Sequence, residues 1–202
     1  MQAAELFKLN DRVALVTGAS SGLGARFADV LAANGAAVAL VARRGDRLQE
    51  AVSRIQKAGG HAIAIEADVT DHAAMQRAFD AAETAFGCVT VLVNNAGVAH
   101  SDRALDLTEQ GYRRVIDTNL DAVFFWAQEG ARRMLAAGRR GSIVNIASVL
   151  GFGVAKGTAA YAITKAGVVQ MTKALALELA FKACASMRSR PVGLSPRSTA
   201  II

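Results

Sequence analysis

Apolar and polar positions along this chain are grouped in blocks. Short apolar runs, Val13–Thr17, Ala36–Val41, Ala62–Glu66, Val89–Val93 and Ser142–Ile146, are separated by stretches of helical spacing. Runs of this length, with little polar interruption, mark strands buried on both faces. Gly22–Asn34, Asp46–Ala58 and Asp71–Phe86 read as helices, and Gly35, Gly59 and Gly87 stand where each would stop. Leu107–Leu135 carries helical pattern with a break expected near Asn119, and Tyr161–Leu179 reads as one long helix. Strand–helix alternation predicts the α/β class: a doubly wound parallel sheet, helices on both faces, right-handed crossovers. Residues 1–179 would form one domain of this kind. Such sheets bind ligands outside the carboxyl ends of their strands. Gly18, Ala42, Asp68, Asn94 and Ser148 follow or close those ends, where one crevice is expected to collect them.

Two of these positions carry recognisable chemistry. Thr17-Gly-Ala-Ser-Ser-Gly-Leu-Gly24 leaves a strand and opens a helix, with glycines at 18, 22 and 24. A tight turn without Cβ atoms lets a pyrophosphate approach the free N–H groups at a helix start. At the end of the second strand Ala42 stands where a carboxylate would take ribose hydroxyls. Arg43 follows and can receive a 2′-phosphate, which favours NADP(H) over NAD(H).

The second constellation is Ser148, Tyr161 and Lys165. A four-residue step stacks Tyr161 and Lys165 on one helix face. An ammonium beside a phenol lowers its pKa, so Tyr161 is expected to act as acid and base, with Lys165 also reaching the cofactor ribose. Ser148 is expected to hold the substrate oxygen. Asn119 is an unusual residue for a helix interior. There it can kink the helix and hold a water that returns protons to the lysine. Each residue has a plainer reading: Ser148 as a helix cap, Tyr161 and Lys165 as surface side chains, Asn119 as a turn residue. Asp68 is either an adenine contact or the cap of the next helix, a task Asp71 can also perform.

Composition removes other classes. The chain has 202 residues, 52% hydrophobic and 20% charged, the profile of a soluble globular protein. No apolar run approaches the roughly 18 residues of a membrane span, and Met-Gln-Ala-Ala-Glu does not open like a signal peptide. Cys88 and Cys184 lack metal-ligand spacing, as do His61, His72 and His100. No metal is expected, and the setting expected is cytoplasmic. The net charge of +6 raises nucleic acid as a partner. Lys182, Arg188, Arg190 and Arg197 supply most of that surplus within residues 180–202, which hold no acid. The body has no basic stripe, so no nucleic-acid role is expected.

Together these motifs resemble the short-chain dehydrogenase/reductase family over residues 9–179. The resemblance implies a Rossmann-like fold and an NAD(P)-dependent oxidoreductase interconverting a secondary alcohol and a ketone. It implies a tetrad of Asn119, Ser148, Tyr161 and Lys165. It also implies cofactor contacts from Thr17, Gly18, Ser20, Ser21, Gly22, Leu23, Gly24, Arg43, Asp68, Val69, Asn95, Ala96, Gly97, Tyr161 and Lys165. A homodimer or homotetramer paired through the two long helices is expected from the same likeness. Sugar or polyol oxidation and 3-oxoacyl-thioester reduction stand as specific activities. The apolar loop Val149–Ala155 favours a neutral or modestly polar alcohol or ketone.

The likeness fades after Leu179. Family members continue into a strand reading like Arg-Val-Asn-Ala, then Pro-Gly, a lid and a last strand. Residues 180–202 show neither and are expected to lie outside the regular fold, so the last strands would be missing. Codons compatible with Ala180–Val192, read two bases out of frame, permit Gln-Gly-Met-Arg-Val-Asn-Ala-Leu-Ser-Pro-Gly. A frameshifted tail is the hypothesis this motivates, with a naturally divergent terminus as the alternative. A gene whose shifted frame lacks Arg-Val-Asn-Ala would sink it. A weakly active or non-catalytic remnant is the functional alternative that follows.

Overall fold

The structure is a computed structural model that describes residues 7–99 and 101–187, with side chains as far as residue 180. His100 and the tail beyond residue 187 lie outside the described residues. Two compact units divide the chain, residues 1–96 and residues 97–202. The five strands form one sheet in the order β3-β2-β1-β4-β5.

The first unit holds β1 (Val13–Thr17), α1 (Gly22–Ala33), β2 (Ala37–Ala42), α2 (Gly45–Lys57), β3 (His61–Glu66), α3 (His72–Phe86) and β4 (Val91–Asn94). Its ladders are parallel: Val13 pairs with Ala37, Ala14 with Val91, and Ala37 with His61. Every residue of β1 is buried, as a strand between two covered faces requires. Leu15, Leu40, Leu48, Phe79 and Leu92 are fully enclosed and form the centre of this core. Helix α1 packs on α2 and on β1 and β2, and α3 packs on β1, β2 and β3.

Local chemistry sets the boundaries. Val89 and Thr90 read as strand, yet β4 begins at Val91. The Thr90 hydroxyl accepts from the Val13 amide at 3.2 Å, and the Thr90 amide donates to the Val13 carbonyl at 2.9 Å. Those bonds use up Val13's ladder positions, so pairing starts one residue later. Asp71 caps α3 by accepting from Ala73 and Ala74 at 2.8 and 3.1 Å. Asp68 is therefore not the cap.

The second unit holds α4 (Glu109–Ile116), a π-helical turn (Asp117–Asp121), α5 (Ala122–Ala136), β5 (Ser142–Asn145), a 3-10 turn (Val149–Gly151) and α6 (Ala159–Met187). The expected break near Asn119 is a widened turn inside a continuous helix. Trp126 and Val168 are buried, and α6 packs on α4, α5, the π-helical turn and the 3-10 turn. Helix α6 begins two residues before the pattern indicated and runs past Leu179 to Met187. Among the described residues no helix is long and apolar enough to cross a membrane.

Candidate active site

The sequence-predicted residues fall into two groups, one in each unit. In the first, β1 delivers Thr17 to the head of the glycine turn. Its hydroxyl, 2% exposed with the rest of the residue, donates to the Val93 carbonyl at 3.4 Å. It accepts from the Asn95 and Ala96 amides at 3.0 and 3.1 Å. The Asn95 side chain donates to the carbonyls of Thr17 and Gly18 at 3.0 and 3.3 Å. The segment after β4 is thus tied to the turn after β1 by five bonds around one threonine and one asparagine.

The glycines have separate reasons. A Cβ on Gly18 would lie 2.8 Å from the Ala96 α-carbon, and one on Gly24 would run into the Gly18 carbonyl. Gly24 is a packing glycine, and Gly18 is both closely packed and left-handed, with φ +66°. Gly22 is left-handed too, with φ +57°, but a Cβ there would meet nothing within 4 Å. The turn is therefore tight on its protein side and open at Gly22, where α1 begins with its amide groups unsatisfied. That shape fits a dinucleotide pyrophosphate. Leu23 is exposed, and Ser21, the residue before α1, makes no side-chain cap bond.

Arg43 lies beside Asp68, Nη1 to Oδ2 at 3.6 Å. The other Asp68 oxygen accepts from the Thr70 amide at 3.0 Å and the Thr70 hydroxyl at 2.8 Å. Partial burial raises the Asp68 pKa, but the Thr70 bonds and the Arg43 charge outweigh it and hold the carboxyl below its usual value. Val69 follows, half-buried. Arg44 was not singled out by sequence reasoning. Its Nη2 donates to the hydroxyls of Ser20 at 2.9 Å and Ser21 at 2.8 Å. The Arg-Arg pair after β2 was the available signal, but it did not say which arginine turns toward the glycine turn.

The second group is built on the π-helical turn, the segment after β5 and the first turn of α6. Asn119 is fully buried. Its Oδ1 accepts from the Val98 amide at 2.8 Å and its Nδ2 donates to the Val98 carbonyl at 2.8 Å. The side chain thus acts as a two-point clamp on the irregular segment around Val98. Ser148 precedes the 3-10 turn and caps it, accepting from the Leu150 amide at 3.2 Å. A hydroxyl that accepts still keeps its own hydrogen to donate.

Lys165 is 5% exposed. Its Nζ donates to the Ile146 carbonyl at 2.6 Å and lies 5.6 Å from the centre of the Tyr161 ring. Burial lowers the pKa of its ammonium. The 3-10 turn after Ser148 packs on α6 so closely that a Cβ on Gly151 would lie 2.8 Å from the Lys165 carbonyl oxygen. Lys165 is thus bonded two residues before Ser148 and stands one helical turn after Tyr161.

Comparison with known proteins adds the relationship. A family model described as short chain dehydrogenase matches residues 12–191. An NADP-dependent (R)-specific alcohol dehydrogenase of Lentilactobacillus kefiri is 37% identical over 177 residues, 87% of this chain and 69% of that protein. A cyclohexanol dehydrogenase of Acinetobacter sp. (strain SE19) is 39% identical over 176 residues, 87% of this chain and 70% of that protein. The crystal structure of a short-chain type dehydrogenase/reductase from Mycobacterium marinum superposes with a TM-score of 0.87 at 37% identity, covering 91% of this chain and 75% of that one. The chain belongs to the short-chain dehydrogenase family and is an oxidoreductase of the NAD(P)-using kind.

Proposed function

We propose that this protein interconverts a secondary alcohol and a ketone, using NADP(H) in preference to NAD(H). The observation that carries the reading is the buried Lys165, bonded to Ile146 and set beside the ring of Tyr161. A desolvated ammonium at that place stabilises negative charge on the phenol oxygen more strongly than it would in water. Tyr161 then gives its proton to the carbonyl oxygen in reduction and takes a proton from the alcohol in oxidation. Ser148 donates to the same substrate oxygen and fixes the distance of the reacting carbon. When bound, the nicotinamide supplies the hydride in reduction and accepts it in oxidation.

Asn119 supports this chemistry from a distance. Its amide pins Val98, and the π-helical turn around it frees backbone carbonyls that can hold a water for proton return to Lys165. Thr17, Gly18, Ser20, Ser21, Gly22, Leu23 and Gly24 would hold the pyrophosphate, with Asn95, Ala96 and Gly97 beside the nicotinamide end. Asp68 and Val69 would meet the adenine, and the Arg43–Arg44 segment the adenosine ribose. The NADP(H) preference rests on two arginines and no acid directly after β2, and on the NADP dependence named for the Lentilactobacillus relative.

The substrate is proposed to be apolar. Val149, Phe152 and Val154, immediately beyond Ser148, are 83%, 79% and 89% exposed, and no charged residue interrupts that loop before Lys156. Such side chains favour a hydrocarbon body over a phosphorylated or polyhydroxylated one. The Acinetobacter relative is named for cyclohexanol. A homodimer or homotetramer and a cytoplasmic setting belong to the same proposal. A panel of cyclic and linear alcohols, polyols and 3-oxoacyl thioesters, assayed through the nicotinamide absorbance with both cofactors, tests it. Turnover of apolar secondary alcohols with NADP+ is expected, and turnover confined to polyols would contradict the substrate class.

A further inference from the structure

The segment that closes β5 meets α6 at two points, both within residues 97–202. The Ile146 carbonyl accepts from the Lys165 ammonium at 2.6 Å. Asn145, the last residue of β5, donates from Nδ2 to the Thr172 hydroxyl at 3.0 Å. That hydroxyl donates in turn to the Val168 carbonyl at 2.7 Å. A hydroxyl has a single hydrogen, so with it given to Val168 the lone pairs are left for Asn145, and the order of donors is fixed. Asn145 is buried, and a carboxamide enclosed in this way is kept by its bonds. Positions 165, 168 and 172 lie along one helix face. Residues 145 and 146 therefore hold α6 at places about two turns, roughly 10 Å, apart.

The two holds differ in stiffness. The lysine stem is long and rotatable, and its bond to Ile146 can persist while the helix slides beneath it. The close contact of Gly151 with the Lys165 backbone limits how near the 3-10 turn comes to α6, but such a contact does not stop sliding along the axis. Asparagine and threonine are short, and threonine is stiff at χ1, so their bond admits one axial position. The Thr164 hydroxyl makes the contrast: it donates to the Tyr161 carbonyl at 2.7 Å, a bond inside the helix that says nothing about where the helix sits. Ser148 follows Asn145 by three residues, so the held segment leads directly to the serine.

We propose that Asn145 and Thr172 are positioning residues: their bond sets the axial register of α6 on the end of β5, and with it the place of Tyr161 and Lys165 relative to Ser148. The role rests on the proton-transfer reading given above. In that reading the phenol must meet an oxygen that Ser148 also holds, and misplacement by about 1 Å costs up to about 100-fold in rate. Asn145 and Thr172 act through the helix and transfer no proton themselves.

The test compares wild type with Thr172→Val, Thr172→Ser, Asn145→Leu and the Asn145→Leu/Thr172→Val double variant. Turnover of apolar secondary alcohols with NADP+ and thermal unfolding are measured on each. Thr172→Val should lower kcat about 10- to 100-fold while KM for the alcohol stays within about threefold. Thr172→Ser keeps the hydroxyl and should restore most of that loss. The double variant should be no slower than the slower single one, as two residues acting through one bond require. A second readout needs no turnover. In protein labelled with [ε-13C]lysine, the resonance lost in Lys165→Met reports the titration of that amine. Its ammonium faces the Ile146 carbonyl and the titratable Tyr161, and burial lowers its pKa. A displaced helix admits water, so the titration should move up toward the ordinary lysine value in Thr172→Val and return in Thr172→Ser. Variants that lose thermal stability yet keep the wild-type kcat and lysine titration would show that the pair only braces the fold, and would overturn the proposal. A wild type that oxidises no alcohol, while its lysine titration still responds to Thr172→Val, would remove the proton-transfer reading and uphold the register.

Discussion

Lys165 keeps a positive charge where burial disfavours it. Its folded pKa lies below the value of 10.5 that it has in the unfolded chain. Between those two values the unfolded chain binds the proton and the folded one does not, so stability rises with pH across that window. As pH falls through the folded value, the full cost of burying the ammonium returns. Urea unfolding of wild type and Lys165→Met from pH 7 to 10.5 should show the gap between them changing with pH in the wild type's favour. A gap that stays flat would mean that burial is not what perturbs this lysine. Asn119 makes the opposite case, a polar side chain buried because it is satisfied. Replacing it with leucine leaves the Val98 amide and carbonyl without partners, a loss of about 1–3 kcal/mol measurable by chemical denaturation. Asn119 was legible as an odd residue for a helix, since its amide competes with backbone bonds. Its partner was not legible, because Val98 is bonded through backbone atoms that every residue has.

Among the elements, the glycine turn separates two kinds of glycine that look alike in sequence. Gly22 needs its left-handed backbone but touches nothing, so Gly22→Ala should cost only the conformational term, about 1–2 kcal/mol. Gly24→Ala would press a methyl group into the Gly18 carbonyl and toward the Asn95 side chain. Backbone must then move in the turn, and dinucleotide affinity should fall about tenfold or more, against little change for Gly22→Ala if strain alone is at work. Titration of both variants with NADP+ decides between them. The strand and helix pattern showed the elements well because buried parallel strands are continuously apolar and the helices between them stop at glycine. It showed their ends less well. The start of β4 depends on the Thr90 side chain bonding Val13, and at Asp117–Asp121 Asn119 marked a break in the helix but not its widened form. Helix α6 reaches Met187 because an Ala-rich stretch with no proline or glycine offers nothing to stop it.

For the whole molecule, family and fold follow from the joint occurrence of motifs. A serine after a strand is often only a cap, and Ser148 is indeed one. In the proposed mechanism the same serine keeps its own hydrogen for the substrate oxygen. The chain matches about two thirds of its relatives, 69% of the Lentilactobacillus enzyme and 75% of the Mycobacterium marinum structure. The matched part contains the glycine turn and all of the proposed proton-transfer residues. The Arg-Arg pair after β2 was legible, but only side-chain geometry shows Arg43 turned to Asp68 and Arg44 to the serines. The central claim is that Tyr161 transfers the proton while other groups bind the cofactor. It is tested most directly by Tyr161→Phe, with turnover and NADP+ affinity measured on the same sample. Removing a general acid should lower turnover at least about 100-fold while NADP+ affinity stays within about threefold of wild type. A phenylalanine variant that retains its rate would contradict the mechanism.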